Sequence, residues 1–325
     1  MRTQECADAL KKEIEKIIIG KSEQIYLILL AVLSGGHVLL DDLPGSGKTT
    51  LIRALSLALG CDYRRIQFTP DLLPSDILGM TIYNQKTGDF ELRKGPVDTN
   101  ILLADEINRA IPRTQSALLE AMEERQITID GQTFRLPEPF LVMATQNPVE
   151  RESTFQLPAA QMDRFFIRIS LGYPKPAEEM EMLETLGDGI PFDSIQAVTS
   201  PEELMEMRRE IQQVTVSQAL TEYIVNLVNA TRNHPCLKAG ASPRASRTLF
   251  QGAKASAASE GRKFAIPEDV LKLAVPVLSH RIVLTGEARY ARKTPEEIIS
   301  QILDETPVSP APQDWIKGNY EKQNQ

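Results

Sequence analysis

The spacing of apolar and polar residues changes once along the chain, and this change predicts two structural parts. Before about residue 173, short continuous apolar runs alternate with stretches of helical spacing; the runs cover residues 37–40, 101–104, 140–145 and 166–170. Such runs are typical of strands that are buried on both faces of a parallel sheet, with helices packed on each side. A more polar strand is expected at residues 64–68.

Residues 172–176, Gly-Tyr-Pro-Lys-Pro, mark the expected boundary between the two parts. Beyond them, apolar residues recur at helical spacing, which predicts helices at residues 217–233, 242–258 and 268–282. We therefore predict an α/β domain at residues 1–173 and a small all-α domain at residues 174–306. Residues 307–325 are rich in proline and polar residues, so we expect a weakly ordered tail.

Two β-hairpins are predicted within the α/β part, at about residues 80–93 and 126–135. The first surrounds a polar segment at residues 84–89, and the second surrounds Asp130-Gly131, a strong signal for a two-residue hairpin turn. Both interrupt the alternation of strands and helices, so we interpret them as insertions. We expect the first to contribute little to folding.

Candidate chemistry first appears at residues 42–49, Asp-Leu-Pro-Gly-Ser-Gly-Lys-Thr, between an apolar strand and a helix. This context predicts a phosphate-binding P-loop, in which backbone N–H groups and the helix N-terminus surround phosphate oxygens. Lys48 would contact the β- and γ-phosphates and Thr49 would hold Mg²⁺. The predicted nucleotide contacts here are Pro44, Gly45, Ser46, Gly47, Lys48, Thr49 and Thr50. The alternative is a glycine-rich turn that merely opens a helix.

The P-loop departs from the usual pattern at its first position, where Asp42 replaces glycine. We expect this change to affect loop geometry and affinity without abolishing binding.

A pair of acidic residues, Asp105-Glu106, directly follows the apolar run at residues 101–104. Ligands of open α/β sheets gather at the carboxyl ends of the strands. An apolar strand that ends in Asp-Glu downstream of a P-loop predicts a Walker B element. Asp105 would hold Mg²⁺ and Glu106 would orient the attacking water. Alternatively, the two acids cap the next helix.

Overall composition limits the classes of function. The net charge of −8 argues against a nucleic-acid binder that relies on overall charge. Cys6, Cys61 and Cys236 lie far apart and predict neither a disulfide framework nor a zinc site, which fits a reducing cytosol. The most apolar stretch, residues 25–40, is too short and interrupted for a membrane span, and no secretory signal is evident. We therefore predict a cytoplasmic protein.

Taken together, the ordered motifs resemble those of AAA+ ATPases and, more closely, of the MoxR family. The resemblance covers roughly residues 5–282, and the set of motifs is far more specific than any one of them. The residues that carry it are Ile18-Ile19-Gly20, Pro44-Gly45-Ser46-Gly47-Lys48-Thr49, Ala104-Asp105-Glu106-Ile107-Asn108-Arg109-Ala110, Ala144-Thr145-Gln146-Asn147-Pro148, Leu157-Pro158, Asp163-Arg164-Phe165 and Gly240-Ala241-Ser242-Pro243-Arg244-Ala245.

The resemblance implies roles for residues near the nucleotide. Ile18 and Ile19 would contact adenine. Asn147 would act as sensor 1 and hydrogen-bond the γ-phosphate or the attacking water, although an asparagine before Pro148 is also a good turn residue. In this family the α/β core is followed by a helical lid.

It also implies roles for two arginines. Arg164 would be the arginine finger, reaching the γ-phosphate in a neighbouring subunit, and Arg244 would be sensor 2, reporting the phosphate state to the lid. A surface ion pair is the alternative for Arg164, and Arg109 is a rival finger. One further departure is visible: residues 151–153, Arg-Glu-Ser, stand where members often have an acidic residue and glycine.

The function implied by the resemblance is Mg²⁺-dependent ATP hydrolysis by a ring, expected to be a hexamer. The ring would act as a chaperone-like remodeller or maturation factor for protein or metalloenzyme complexes, often with a partner that carries a von Willebrand factor A domain. The sequence does not name the client. Two alternatives remain: a nucleotide-dependent binding switch, against which Glu106 argues, and a nucleic-acid-directed remodeller, which the acidic balance disfavours.

Overall fold

The computed structural model describes residues 2–148, 154–187, 189 and 191–308. The departure noted at residues 151–153 and the predicted tail from residue 309 onward lie outside the described residues. The elements of the first part are α1 (Arg2–Glu15), α2 (Ser22–Leu33), β1 (Val38–Asp41), α3 (Lys48–Ala58), β2 (Tyr63–Gln67), α4 (Pro74–Leu78), β3 (Gly79–Asn84), β4 (Asp89–Lys94), β5 (Ile101–Asp105), α5 (Pro112–Glu124), β6 (Gln126–Ile129), β7 (Gln132–Arg135), β8 (Leu141–Gln146), α6 (Ala159–Met162) and β9 (Ile167–Ile169).

Five parallel strands form the central sheet in the order β2-β5-β8-β1-β9. The P-loop strand β1 lies between β8 and β9, so Val38 is opposite Met143 on one side and Ile167 on the other. On the far side of β8, β5 pairs with β2. This order brings the carboxyl ends of β1, β5 and β8 to the same edge of the sheet, which places the P-loop, Asp105 and Asn147 at that edge.

Alternate residues of the central strands belong to two separate hydrophobic clusters, one on each face of the sheet. Leu103 and Met143 pack in the cluster that contains α1, α2 and α3. Leu102 and Val142 pack in the other cluster, which contains α4 and α5. Burial on both faces explains why these strands are continuous apolar runs. The predicted parallel sheet with helices on both faces is confirmed.

After β9 the described chain is mainly helical, as expected. Its elements are α7 (Pro176–Leu186), α8 (Pro201–Gln212), α9 (Gln218–Asn233), β10 (Leu237–Ala239), α10 (Pro243–Ser259), α11 (Pro267–Leu278), β11 (Val283–Leu284), α12 (Gly286–Tyr290) and α13 (Pro295–Glu305). Hydroxyl side chains cap the start of five of these helices by accepting hydrogen bonds from backbone N–H groups, at Ser200, Ser217, Ser242, Thr285 and Thr294. Such caps satisfy donors that have no partner within the helix.

The helical part differs from the expectation in two details. It contains a short antiparallel ribbon of β10 and β11, too short to register as a periodic pattern. In addition, the helix predicted at residues 268–282 ends at Leu278, two residues after Pro276. Pro276 removes one helical hydrogen bond, and directly after Leu278 the chain tightens into a 3₁₀ turn at Ser279–Arg281 instead of continuing the α-helix.

One hydrophobic cluster continues from the α/β part into the helical part. It joins Leu10 of α1 and Ile28 of α2 to Leu204 of α8 and Leu249 of α10. The predicted division at residues 173 and 174 therefore does not coincide with a break in this cluster, and the division stays a prediction. Within the described ranges, none of the helices combines the length and apolar character needed to cross a membrane.

Candidate active site

The P-loop lies between β1 and α3, and its two glycines have a backbone conformation that other residues rarely adopt. Gly45 has φ 81° and Gly47 has φ 84°, both left-handed. A Cβ atom at either position would meet nothing within 4 Å, so backbone conformation rather than crowding favours glycine. Left-handed residues in such a loop turn successive N–H groups toward one concavity, which suits an anion.

Lys48 folds back onto the loop that precedes it. Its Nζ donates to the backbone oxygens of Asp42 and Leu43, at 2.8 and 2.7 Å. Burial lowers the pKa of Lys48, and the negative charges of Asp42, Asp105 and Glu106 oppose this shift. The ammonium is therefore partly desolvated and held against the start of the P-loop.

The contacts of the Asp42 side chain give a reason for aspartate in place of the usual glycine. Its Oδ1 accepts hydrogen bonds from the Ser170 hydroxyl (2.6 Å) and the Gly172 N–H (2.9 Å), and its Oδ2 accepts from the Leu171 N–H (2.6 Å). Glycine could make none of these bonds. The carboxylate thus joins the P-loop to the segment that follows β9.

Asp105 and Glu106 occupy the end of β5, next to the P-loop. Asp105 is buried, and it accepts hydrogen bonds from the Thr145 hydroxyl (2.6 Å) and from Arg65 Nη2 (2.6 Å). Glu106 has the left-handed φ of 54°, and its N–H donates to Thr145 Oγ1 at 2.8 Å. Thr145 of β8 therefore positions both acids.

Two further residues hold the Glu106 carboxylate. Gln67 Nε2 and Arg109 Nη1 both donate to Glu106 Oε2, at 2.7 and 2.8 Å. Arg109, the rival arginine finger, thus pairs with the predicted base of its own subunit. The sequence analysis assigned no role at the site to Gln67, Thr145 or Arg65. The only available signal was their position on β2 and β8, the two strands that pair with β5.

The P-loop, Asp105, Glu106, Thr49 and Asn147 line a cleft of about 380 Å³. Asn147 is buried directly after β8. Two buried polar atoms that line the cleft, Ser46 Oγ and Gln146 Nε2, have no hydrogen-bond partner within the described part of the chain. Buried polar groups normally have partners, so these atoms fit a polar ligand. Hydroxyl and carboxylate oxygens suit Mg²⁺, and the loop suits a phosphate.

A second cleft, of about 460 Å³, adjoins the first and shares Gly45, Ser46, Gly47 and Thr50 with it. Ile17, Ile18 and Ile19 line one side, and Leu171, Tyr173, Pro174, Met182 and Leu183 are also among its lining residues. Apolar walls beside a phosphate-binding loop suit a planar base such as adenine. The two adjoining clefts therefore bring Ile18 and Ile19 together with the predicted contacts of the P-loop.

Arg164 and Arg244 lie elsewhere, since neither lines the two clefts. They meet at Glu123, near the end of α5: Arg164 Nε lies 2.8 Å from Glu123 Oε2, and Arg244 Nη2 donates to Glu123 Oε1. The neighbouring Asp163 is anchored by Arg281 Nε and the Ser242 hydroxyl, each at 2.8 Å. The two predicted γ-phosphate-sensing arginines are thus collected on one patch outside their own subunit's clefts.

Comparisons with known proteins match this arrangement. A family model described as the ATPase family associated with various cellular activities (AAA) matches residues 37–167, and a model of the AAA lid domain matches residues 229–302. The chain is 43% identical to Chaperone MoxR1 of Mycobacterium tuberculosis over 300 residues, which are 90% of this chain and 79% of that protein. It is 47% identical over 297 residues to a Bacillus subtilis protein named Uncharacterized protein YeaC, covering 91% and 93% of the two chains.

A solved crystal structure is also similar. The protein, from Cytophaga hutchinsonii, is described as a candidate ATPase and is 40% identical in sequence. It superposes with a TM-score of 0.89, and the match covers 95% of this chain and 96% of that one.

Proposed function

Because the chain belongs to the MoxR family of AAA+ ATPases, we propose that it hydrolyses ATP with Mg²⁺ in a ring of identical subunits, expected to be a hexamer. That the chain is an ATP-hydrolysing enzyme follows from the family itself. Beyond this activity, we propose the metal ion, the roles of the site residues, the ring assembly and the process that ATP hydrolysis drives. The observation that carries it is the cleft at the P-loop, where Lys48, Asp105, Glu106 and Asn147 converge beside unpartnered polar atoms.

Within this proposal, the phosphates are bound by the loop and by Lys48. Ser46 and the backbone of Gly45 and Gly47 surround the phosphate oxygens, and Lys48 exchanges its two carbonyl partners for the β- and γ-phosphates. Thr49 and Asp105 would hold Mg²⁺, which when bound neutralises charge on the phosphates.

Glu106 and Asn147 would act on the attacking water. Glu106 accepts its proton or polarises it, and the Asn147 amide helps to fix its position. In the structure the Glu106 carboxylate is held by Gln67 and Arg109. Both partners donate to Oε2, so Oε1 is the oxygen that would face the attacking water.

Arg164 and Arg244 would complete a neighbouring subunit's site rather than their own. This assignment is supported by two observations: neither arginine lines the clefts of its own subunit, and both contact Glu123. A guanidinium supplied by a neighbour makes hydrolysis depend on assembly. Glu123 would hold both arginines until a bound γ-phosphate replaces it.

We further propose that turnover drives a chaperone-like remodelling or maturation step on protein or metalloenzyme complexes, with a von Willebrand factor A domain protein as partner. The relative named Chaperone MoxR1 supports the chaperone-like role, and the resemblance to the MoxR family suggests the partner. The cytoplasm is the proposed compartment, since Cys6, Cys61 and Cys236 are all free thiols.

A slow nucleotide switch is the second candidate, because Gln67 and Arg109 restrain the predicted base. Sustained phosphate release at steady state distinguishes an ATPase from such a switch. The switch predicts one turnover followed by a stable ADP complex.

The experiment that tests the proposal measures equilibrium ATP binding and phosphate release on two variants. We expect Lys48→Ala to lose ATP binding, because it removes the phosphate contact. Glu106→Gln should bind ATP but hydrolyse it about 10²–10⁴-fold more slowly, since a positioned base contributes this much. Removal of Mg²⁺ with EDTA should stop turnover in the parent protein.

Glu120→Gln is the matched control, because Glu120 is an exposed carboxylate on α5 and the chemical change is identical. It should turn over at the parent rate. Parent-like turnover of Glu106→Gln would show that the base lies elsewhere, and undiminished turnover in EDTA would exclude the role of Mg²⁺.

A further inference from the structure

A pocket that is separate from the two clefts at the P-loop is lined by five cationic side chains. This basic pocket has a volume of about 580 Å³ and lies among the loop after α2, the end of α5 and helices α8 and α10. None of its described lining residues carries a carboxylate. Its cations are Arg125, Arg208, Arg209, Arg247 and Lys254.

None of these five cations forms an ion pair within the described ranges. The whole chain has 44 acidic and 36 basic residues, so acidic partners are abundant elsewhere. Some buried or half-buried arginines elsewhere do have such partners: Arg262 pairs with Asp269, and Arg281 pairs with Asp163. The absence of carboxylates from the basic pocket is therefore a local property.

Two guanidinium groups converge at the bottom of the basic pocket. A Cβ atom added to Gly35 would lie 3.5 Å from both Arg125 Nη2 and Arg208 Cζ, so the groups flank the same glycine. Arg208 is only 9% exposed. Burial, and then the positive charge of Arg125, lower the pKa of Arg208 to about 10, while Cys61 and the carboxylate of Glu138, which does not line the basic pocket, oppose this shift. The two guanidinium groups repel each other, and the burial of Arg208 makes this repulsion more costly.

Helix capping accounts for part of this arrangement. Arg208 Nη2 donates to the Val32 oxygen at the end of α2 (2.7 Å), and Lys254 Nζ donates to the Gln212 oxygen at the end of α8 (2.9 Å). Each helix C-terminus supplies a partial charge of about −0.5, so two of them offset only about one of five positive charges. Arg125 Nη2 also donates to the Gly35 oxygen (3.0 Å), and these backbone partners together offset only part of the positive charge that lines the basic pocket.

The remaining surfaces of the basic pocket suit a ligand rather than bulk water. The hydroxyl oxygen of Ser34 is buried and has no hydrogen-bond partner among the described residues. Met205, Ile211 and Phe250 provide apolar wall beside the cations. The volume also falls within the usual range for pockets that bind small molecules.

We propose that the basic pocket binds a small molecule that carries two or more phosphate groups. Planar guanidinium groups match phosphate oxygens in a bidentate geometry, and several of them gathered around one cavity call for several negative charges. An acidic peptide brings one charge per side chain on a bulky backbone. A slender phosphate group can reach the nine-tenths-buried Arg208, and the apolar wall accommodates the rest of the molecule. This inference does not depend on the proposed ATPase mechanism.

Isothermal titration calorimetry with sodium tripolyphosphate tests the proposal. The full chain is first saturated with ADP, so that the P-loop cleft is not available to the probe. The parent protein should bind the probe in a saturable manner. Arg247→Gln and Lys254→Gln should each weaken binding roughly tenfold, as expected for loss of one charged hydrogen bond to phosphate. Arg247 is exposed, so its replacement should leave the melting temperature unchanged.

Lys238→Gln is the control, because it removes one exposed positive charge from β10, outside the basic pocket. It should bind the probe as the parent does. Equal weakening in Lys238→Gln and Arg247→Gln would mean non-specific attraction, and no saturable binding to the parent would also overturn the proposal. Saturable binding of a poly-glutamate peptide without binding of tripolyphosphate would overturn it in favour of an acidic protein partner.

Discussion

At the level of single residues, His37 joins the P-loop strand to its surroundings. It directly precedes β1 and is buried; its Nε2 lies 3.1 Å from the Met122 oxygen, and its Nδ1 accepts the Val142 N–H at 2.9 Å. Only the neutral imidazole can donate from one nitrogen and accept at the other. Burial lowers the pKa of His37 to about 4.

This environment predicts a pH dependence of stability. The unfolded chain protonates His37 below about pH 6.5, while the folded protein resists protonation down to about pH 4. Stability should therefore be independent of this group above pH 6.5. Between those two values it should fall by about 1.4 kcal/mol per pH unit as the pH decreases.

Urea unfolding near pH 7 and near pH 5 measures the effect, with His37→Gln as the comparison. Glutamine can donate and accept like neutral histidine but does not titrate. The parent should lose about 2 kcal/mol more than the variant across this interval. The buried His280 and all carboxylates contribute to both proteins and cancel. Equal losses in the two proteins would contradict the assignment.

The sequence predicted the position of Glu106 but not the environment that controls it. Gln67 reaches Glu106 because β2 and β5 are paired with Gln67 opposite Asp105. This strand register depends on the assembly of the whole sheet, so the sequence around Gln67 or Glu106 does not predict it. In the same way, the sequence identified Asp42 as a departure, and only the path of the chain after β9 provided a reason for it.

At the level of elements, the two hairpins differ in how they are packed. In the first, every residue of β4 is exposed, and Phe90 is 75% exposed with its ring 5.3 Å from that of Tyr83. In the second, Ile127 and Ile129 are buried in the cluster that contains α5. The first hairpin therefore has little apolar burial to contribute to folding, whereas the second belongs to the core.

Replacing residues 84–89 with a short Gly-Ser turn should leave the melting temperature nearly unchanged, because the tip of the first hairpin is almost entirely exposed.

A matched pair of substitutions, one in each hairpin, extends this test. Leu92→Ala in the first hairpin should have little effect, while Ile127→Ala in the second should cost about 2–5 kcal/mol. Thermal and urea unfolding measure both. A loss for the first hairpin as large as that for Ile127→Ala would show that it is structural.

Element types were more predictable than element ends. The central strands lie within about one residue of their predicted positions, since burial on both faces requires a continuous apolar run. The ribbon of β10 and β11 was missed because strands of three and two residues have no measurable period. The helix at Pro276 was predicted too long, since its end depends on the following turn as much as on the proline.

At the level of the whole molecule, the central claim is that hydrolysis requires two subunits. Arg164, Arg244 and Glu123 come from three elements that are far apart in sequence, so only the folded chain reveals that they form one patch. This patch lies outside the clefts that hold the other predicted nucleotide contacts. Arg109, in contrast, contacts Glu106 of its own subunit.

The most direct measurement of this claim is ATP turnover in mixtures of inactive variants. Arg164→Ala should bind ATP but be nearly inactive, since a guanidinium at the γ-phosphate is worth on the order of 10³–10⁵ in rate. Lys48→Ala has an intact Arg164 but an empty site. Mixing the two should restore part of the activity, in a manner that depends on protein concentration.

Arg109→Ala is the matched control. If Arg109 acts only within its own site, mixing Arg109→Ala with Lys48→Ala should restore no activity. Normal hydrolysis by Arg164→Ala alone, or a co-assembled mixture that stays inactive, would contradict the account and direct attention to Arg109.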